Sequence, residues 1–441
     1  MIAKATLFIR CCMLTAALLA SVSAFAAAQM VSEPGRRAVS PEIAVGPDGA
    51  INVIWLDKGL TADRPAPKPR KPGEHSHRSS TDLYFARSED GGITWSKPVR
   101  VNEVDGEIWG FSVSKPRIGV GPTGTIHVFY PANDYVEAFD KDMVSARYRR
   151  STDKGKSFSA AITINRPAGA DREDVLGEGL AATNSFGTMG VAPDGTIITA
   201  WQNTDDMSGH NDGADGMIAI STNDGQSFQP QQTVLPDNDV CPCCQLTLAF
   251  DPANNVYMGL RKIFADGRDS AVARSTDGGK SFSVDGRLDF ERWKIDGCPL
   301  KPTELAIAGN QVYAAAYTGG EDPPGIYFSV SRDGGKTFAG KREVHPGADV
   351  ADAPALTVDP QGNVRLVWHA KAGGGFRLYT AVSGDAGKTL SAPAEIAAPD
   401  GKAKNPATAV ANDGTVYLAW EQENEEVYVI PLPAPASTAS R

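Results

Sequence analysis

The sequence predicts an all-β fold, a single β-propeller of four-stranded antiparallel blades. Three observations predict it. An eight-residue phrase, Ser-x-Asp-x-Gly-x-Ser/Thr-aromatic, recurs six times: Ser88 to Trp95, Ser151 to Phe158, Ser221 to Phe228, Ser275 to Phe282, Ser331 to Phe338 and Ser383 to Leu390. A second repeat interleaves with it: an apolar run, a turn rich in Gly, Asp and Asn, and a second apolar run that often ends in Trp or Tyr. Its seven copies begin at Ile43, Ile118, Met189, Leu246, Leu305, Leu356 and Ala407, so six steps span 364 residues, about 61 per step. Four short strands per unit at a fixed period are the signature of propeller blades.

Each element has a local reason. In the phrase, Ser and Asp side chains bond nearby backbone N–H groups and build a tight turn. Gly in the fifth position takes positive φ at no steric cost. The aromatic residue caps the turn with an apolar plug. Strand-forming runs precede the copies, such as Leu83-Tyr84-Phe85-Ala86 and Ile326-Tyr327-Phe328-Ser329-Val330, so each copy reads as a hairpin turn. The third copy has Asn223 in place of Asp, and the sixth ends in Leu390.

Seven inner-strand pairs stand against six phrases. The last unit has its inner strands and Val427-Tyr428-Val429-Ile430, and then the sequence turns to Pro, Ala and Ser. Residues near Arg36 to Val39 are expected to supply its missing outer strand, which closes the ring and removes an open sheet edge. Seven blades are favoured, with six as the alternative.

Residues 1–28 read as a secretory signal peptide. Lys4 and Arg10 precede the apolar run Met13 to Ala20, and Ala24-Phe25-Ala26 and Ala26-Ala27-Ala28 both suit cleavage. A propeller over 29–432 and a disordered Pro/Ala/Ser-rich tail over 433–441 follow. The expected location is periplasmic or secreted. No later run approaches 18 apolar residues, so no membrane span is expected. The formal charge is −10, and −12 without Lys4 and Arg10, which argues against nucleic acid as a partner. A monomer is expected.

Propeller topology sorts the loops. The phrase turns and the Gly/Asp turns share one face, here called the bottom. Loops between second and third strands, and between blades, share the top. The long loops belong to the top: 57–80, 101–115, 131–143, 163–185, 202–216 and 232–244. Binding is expected there, because long loops carry function.

Four cysteines follow the leader. Cys241-Pro242-Cys243-Cys244 leads into the innermost strand of the fourth unit, and Asp296-Gly297-Cys298-Pro299 into that of the fifth. The two segments are expected to meet at the top of the channel. Disulfides suit an exported protein, a thiolate site for copper or zinc suits soft ligands, and a redox pair is the third reading. His75, His77, His210 and His345 fall on the top face as further metal candidates, though surface loops collect polar residues in any case. Asp205, Asp206, Asp212 and Asp215 lack the ordered spacing of a calcium loop. Trp109, Trp293 and Asp296 are candidates for ligand binding, whereas Trp55, Trp201, Trp368 and Trp420 recur in the repeat as core.

The six phrases closely resemble the Asp-box, or BNR, repeats of the sialidase superfamily, over about Ile43 to Ile430. The resemblance implies a sialidase-like propeller in which the Asp-boxes are structural. It also implies glycan chemistry, with an arginine triad clamping a carboxylate, a Tyr–Glu pair as nucleophile and base, and an Asp as acid. The family's Arg-Ile-Pro motif is missing. The nearest match is Pro116-Arg117-Ile118-Gly119 in the second blade. Arg117, Arg261 and Arg268 are the candidates for a clamp, and no Tyr–Glu pair is assignable. The expected ligand is a glycan or a protein at the top face. The alternatives are a non-hydrolytic accessory protein with a cysteine-based copper, zinc or redox site, and a protein-binding scaffold.

Overall fold

The structure, a computed structural model, describes residues 27–60, 81–136, 141–165, 186–203, 213–288, 292–295, 297, 299–321, 323–399 and 401–433. Twenty-eight strands, β1 to β28 in chain order, and no helix are found among them. All pairings are antiparallel. The strands form five four-stranded sheets and one eight-stranded sheet. The larger sheet is joined across its middle by one residue pair, Val240↔Lys262, so it divides into two sets of four.

The innermost strands of the seven sets are β2 (Arg36–Val45), β6 (Arg117–Val120), β10 (Thr188–Val191), β14 (Thr247–Phe250), β18 (Thr303–Ala308), β22 (Ala351–Val358) and β26 (Ala403–Val410). Each touches the next, and β26 touches β2, so they close a ring around a central channel. Seven apolar clusters lie between the sets, each shared by two neighbours. Trp55, Trp201, Trp368 and Trp420 are fully buried in them, as the repeat predicts. Burying an aromatic side chain contributes roughly 1.5–3 kcal/mol.

Ring closure differs in one detail from the expectation. The outer strand beside β28 (Val427–Leu432) is β1 (Gln29–Met30), paired Gln29↔Val429 and Met30↔Tyr428. Arg36 to Val39 belong instead to the first set, where Arg36 pairs with Leu60 and Ala38 with Asp57. The Arg36 guanidinium grips the Asp57 carboxylate at 2.6 and 2.9 Å, which commits this segment to that register. It meets the last set through Ala38 N–H to Glu425 O at 2.6 Å, the Arg37–Glu425 ion pair and the packing of Ala38, not through strand pairing with β28. Likewise most of 232–244 is strand, not loop: β13 (Gln232–Val240) is an irregular outer strand.

All six phrases build one turn. The Ser Oγ accepts the N–H of the fifth-position Gly at 2.8 to 3.1 Å in every copy. The Asp Oδ1 accepts the seventh N–H, and Oδ2 takes the seventh hydroxyl. In the third copy Asn223 keeps the first bond, and its Nδ2 donates to Ser227 Oγ at 2.8 Å. The eighth residue plugs the joint with the preceding set; Phe158 meets Phe85 edge-on at 5.6 Å, and Phe228 meets Tyr148 at 4.9 Å. Thr125 Oγ bonds Asp224 at 2.9 Å, which puts the Gly/Asp turns on the same face as the Asp-boxes.

Candidate functional site

The top of the channel opens into a cavity of about 380 Å³. Its walls are the upper ends of innermost strands, and its lining includes Glu42, Lys115, Arg117, Gln245, Glu304, Asp352, His369, Lys404 and Asn405. The lining is charged in both signs and internally paired. Glu42 Oε1 accepts Arg117 Nη1 at 3.0 Å and lies 3.4 Å from Lys115 Nζ. Lys301 Nζ contacts Asp352 Oδ2. Lys404 Nζ sits 3.1 Å from Glu421 Oε1, and Glu421 Oε2 accepts Asn405 Nδ2 at 2.8 Å and Ser40 N–H at 3.2 Å. Gln245 rivets two strands below this rim, donating to Lys115 O at 2.7 Å and Gly187 O at 2.9 Å.

Two groups are tuned by depth. Glu304 sits inside the channel, enclosed by protein but in contact with the cavity. Loss of hydration pushes its carboxyl up; Arg117 and Lys115 pull it down, and Glu42 pushes it further up. His369 is buried and its pKa falls to about 4, mainly through desolvation. Its Nδ1 accepts the Asn405 N–H at 3.2 Å, so the neutral ring carries its proton on Nε2. The cavity thus offers carboxylates as acceptors and ammonium, guanidinium and imidazole N–H groups as donors. A hydroxyl-rich ligand uses both.

Of the three clamp arginines, only Arg117 lines the cavity. Arg261, 1% exposed, spends its guanidinium on Arg268 O at 3.2 Å and Tyr317 O at 2.7 Å and lies 5.2 Å over the Trp293 ring. Arg268 donates to Gly297 O at 3.0 Å and sits 3.7 Å from Cys241 Sγ. The three do not meet, because both later arginines turn into the wall. Trp109 is buried as well, edge-on to Phe111 at 5.1 Å and Phe186 at 5.7 Å, so it packs rather than stacks on a ligand. Trp293 is half-buried between Arg261 and Tyr317. His345 Nδ1 accepts the Trp368 Nε1–H at 3.0 Å and packs against Trp368 and Tyr379, and among the described residues it is not grouped with the cysteines. His75, His77, His210, Asp296 and Cys298 lie outside the described residues.

The three described cysteines do come together. Cys241 Sγ lies 3.6 Å from Cys243 Sγ and 3.7 Å from Cys244 Sγ, and all three sulfurs fall within 4.8 Å of one another. They are buried with Trp109, Val144 and Phe186, behind Val113 and Leu300, which also line the cavity. Hydrogen bonding with Cys243 and Cys244 holds the Cys241 thiol well below its usual range, and burial pushes Cys244 up.

Part of the lining was readable by register; Arg117 was named, and Glu42, Gln245 and Glu304 were missed. The residue just before each inner apolar run is Glu42, Arg117, Thr188, Gln245, Glu304, Ala355 and Pro406, and all but Thr188 line the cavity. Residues at that step therefore contribute six of the lining positions.

No curated protein matches the chain in sequence. Among solved structures, a protein of unknown function from Dyadobacter fermentans DSM 18053 is similar over 93% of this chain and 99% of that one, at 14% identity and a TM-score of 0.52. A polysaccharide lyase of family PL25, an ulvan lyase bound to a GlcA(1-4)Rha3S unit, is similar over 92% and 94%, at 14% identity and a TM-score of 0.55. Identities this low speak for the fold alone. The family model for the BNR repeat-like domain matches residues 71–304, more than half of the chain. Together with six Asp-box turns of one geometry, the match shows that the chain belongs to the BNR-repeat, sialidase-like superfamily.

Proposed function

We propose that this protein is an exported glycan-binding propeller whose site is the cavity at the top of its channel. One observation carries the reading: a cavity at the low end of the roughly 300–1,000 Å³ typical of small-ligand sites, lined by acids and bases interleaved with small apolar groups. Sugar hydroxyls donate and accept at once, and such a lining satisfies both roles. The superfamily's resemblance to sialidases and the ulvan lyase's own ligand support a glycan over other polyols. No tyrosine is among the described lining residues, and the reading rests on binding, with no hydrolytic step. The cysteine cluster favours a second reading, an accessory protein with a thiol-based centre. The two are compatible, because the sulfurs lie behind the cavity wall.

The test is a glycan array followed by calorimetry, with wild type beside Lys404→Ala and Glu304→Gln. Lys404→Ala leaves Glu421 bonded to Asn405 and Ser40, so the fold is expected to hold. A charged hydrogen bond to a ligand is worth about 1.5–3 kcal/mol, so each variant should bind roughly ten- to a hundredfold more weakly. An array on which nothing binds, or binding that neither variant weakens, sinks the reading.

A further inference from the structure

The sulfur cluster has a geometry of its own. A disulfide brings two sulfurs to about 2.05 Å, far closer than the 3.6 and 3.7 Å from Cys241 to its neighbours. Around one metal at a metal–sulfur distance of roughly 2.3 Å, thiolates stand about 3.8 Å apart on a tetrahedral edge and about 4.0 Å apart in a trigonal plane. The separations from Cys241 leave no disulfide to either neighbour and lie close to those around a shared ion, so the three sulfurs can close on one with little movement.

The geometry points to a site for one thiophilic d10 cation, zinc(II) or copper(I), held by the sulfurs of Cys241, Cys243 and Cys244. This is independent of glycan binding and goes beyond it. Binding releases the thiol protons to solvent and leaves three thiolates on the ion, a net charge of −1 with zinc(II) or −2 with copper(I). No electron transfer is required.

The surroundings suit that charge. Arg268 Nη1 lies 3.7 Å from Cys241 Sγ, and its cation offsets the thiolates. Lys301 N–H donates to Cys244 Sγ at 3.4 Å. The ligand turn is pinned from both sides, by Cys241 N–H to Arg261 O at 2.8 Å and by Gln202 Nε2 to Cys244 O. Arg268 thus turns its guanidinium to the thiol site, and Arg261 frames it through its main-chain carbonyl. Trp109 and Phe186 cover it with apolar surface. Burial favours soft thiolate ligation over water, and soft thiolates select these two ions.

The full chain would be produced separately with zinc and with copper(I), purified without oxygen or chelator, and analysed for metal per chain. X-ray absorption at the metal edge would follow. One ion per chain with sulfur neighbours at about 2.3 Å is expected in at least one arm, and the arm that retains it identifies the ion. Cys243→Ser should lower the retained metal more than tenfold. The absorption experiment uses wild type, so a folding failure of the variant does not blunt the test. Retention of neither ion, a metal shell of nitrogen and oxygen alone, or disulfides within the triplet in this anaerobic preparation would overturn the site.

Discussion

The two faces of the ring solve different problems. On the bottom, six turns repeat one solution: a Ser oxygen under a Gly N–H, a carboxylate or amide over the seventh residue, an apolar plug into the neighbouring set. On the top, equivalent steps of the innermost strands carry Glu42, Arg117, Thr188, Gln245, Glu304, Ala355 and Pro406. Sameness on one face and difference on the other teach a division of labour. The bottom fixes the spacing of the sets, which lets each upper strand end vary without loss of the ring. The proposed ligand site lies on the varied face.

The largest expected effect tests whether the bottom is held by packing. Gly155 has φ of 81°, and a Cβ there would overlap the Phe85 ring. Gly155→Ala adds backbone strain to overpacking and should cost about 3–5 kcal/mol. Gly59, on the top face, has φ of 84° with no atom within 4 Å of a Cβ. Gly59→Ala should cost only the strain, about 1–2 kcal/mol. Urea unfolding of both variants separates the terms. Equal losses would mean that the bottom turns are no more tightly packed than the top loops.

A smaller effect concerns one buried histidine on each face. His127, below, shares a 2.6 Å contact with Tyr148 Oη, and His369 lies above; burial lowers each to about 4. An unfolded histidine binds its proton near pH 6.5, so the unfolded state holds more protons between pH 6.5 and 4. Stability therefore falls as pH drops through that window, by on the order of 2–3 kcal/mol per histidine. NMR titration should find both rings neutral at pH 5. If His369 alone titrates near 6.5, the cavity is open to water and the top face is looser than the bottom.

The same contrast explains what the sequence made legible. The blade unit was readable because strand alternation and turn chemistry act over eight residues. The closing strand was misplaced, since Gln29 and Met30 carry no motif and Arg36 is claimed by Asp57, 21 positions away. The cysteine triplet was legible because three thiols share one turn. The roles of Arg261 and Arg268 were not, because their partners Tyr317 and Gly297 lie 56 and 29 positions along the chain. Part of the cavity lining, Glu42, Arg117, Gln245 and Glu304 among it, lay in register one step ahead of the apolar runs, where composition alone draws no attention.

The smallest effect lies in the Asp-boxes themselves. Asp277 is held at about 2, chiefly by hydrogen bonds from the Ser281 and Ser275 hydroxyls, against a slight push from burial. Asp90 also falls to about 2, by the Thr94 hydroxyl first. In Asp153 and Asp385 burial pushes upward, but the Ser and Thr bonds outweigh it and bring both to about 2. These folded values lie below the ordinary 3.8, so the stabilisation is complete above about pH 4 and is lost as pH falls through 2. Asn223 shows that an amide can hold the same turn, its Nδ2 replacing the hydroxyl-to-carboxylate bond with the reverse one. Asp277→Asn should therefore cost under about 1 kcal/mol at pH 7, the scale of one exchanged hydrogen bond. The acid limb of its unfolding curve should be shallower than wild type, since one carboxylate no longer titrates. Urea titrations at pH 7 and pH 3 measure both. A variant that loses several kcal/mol at pH 7 would show that the charge, and not the turn geometry shared by all six copies, holds the bottom face.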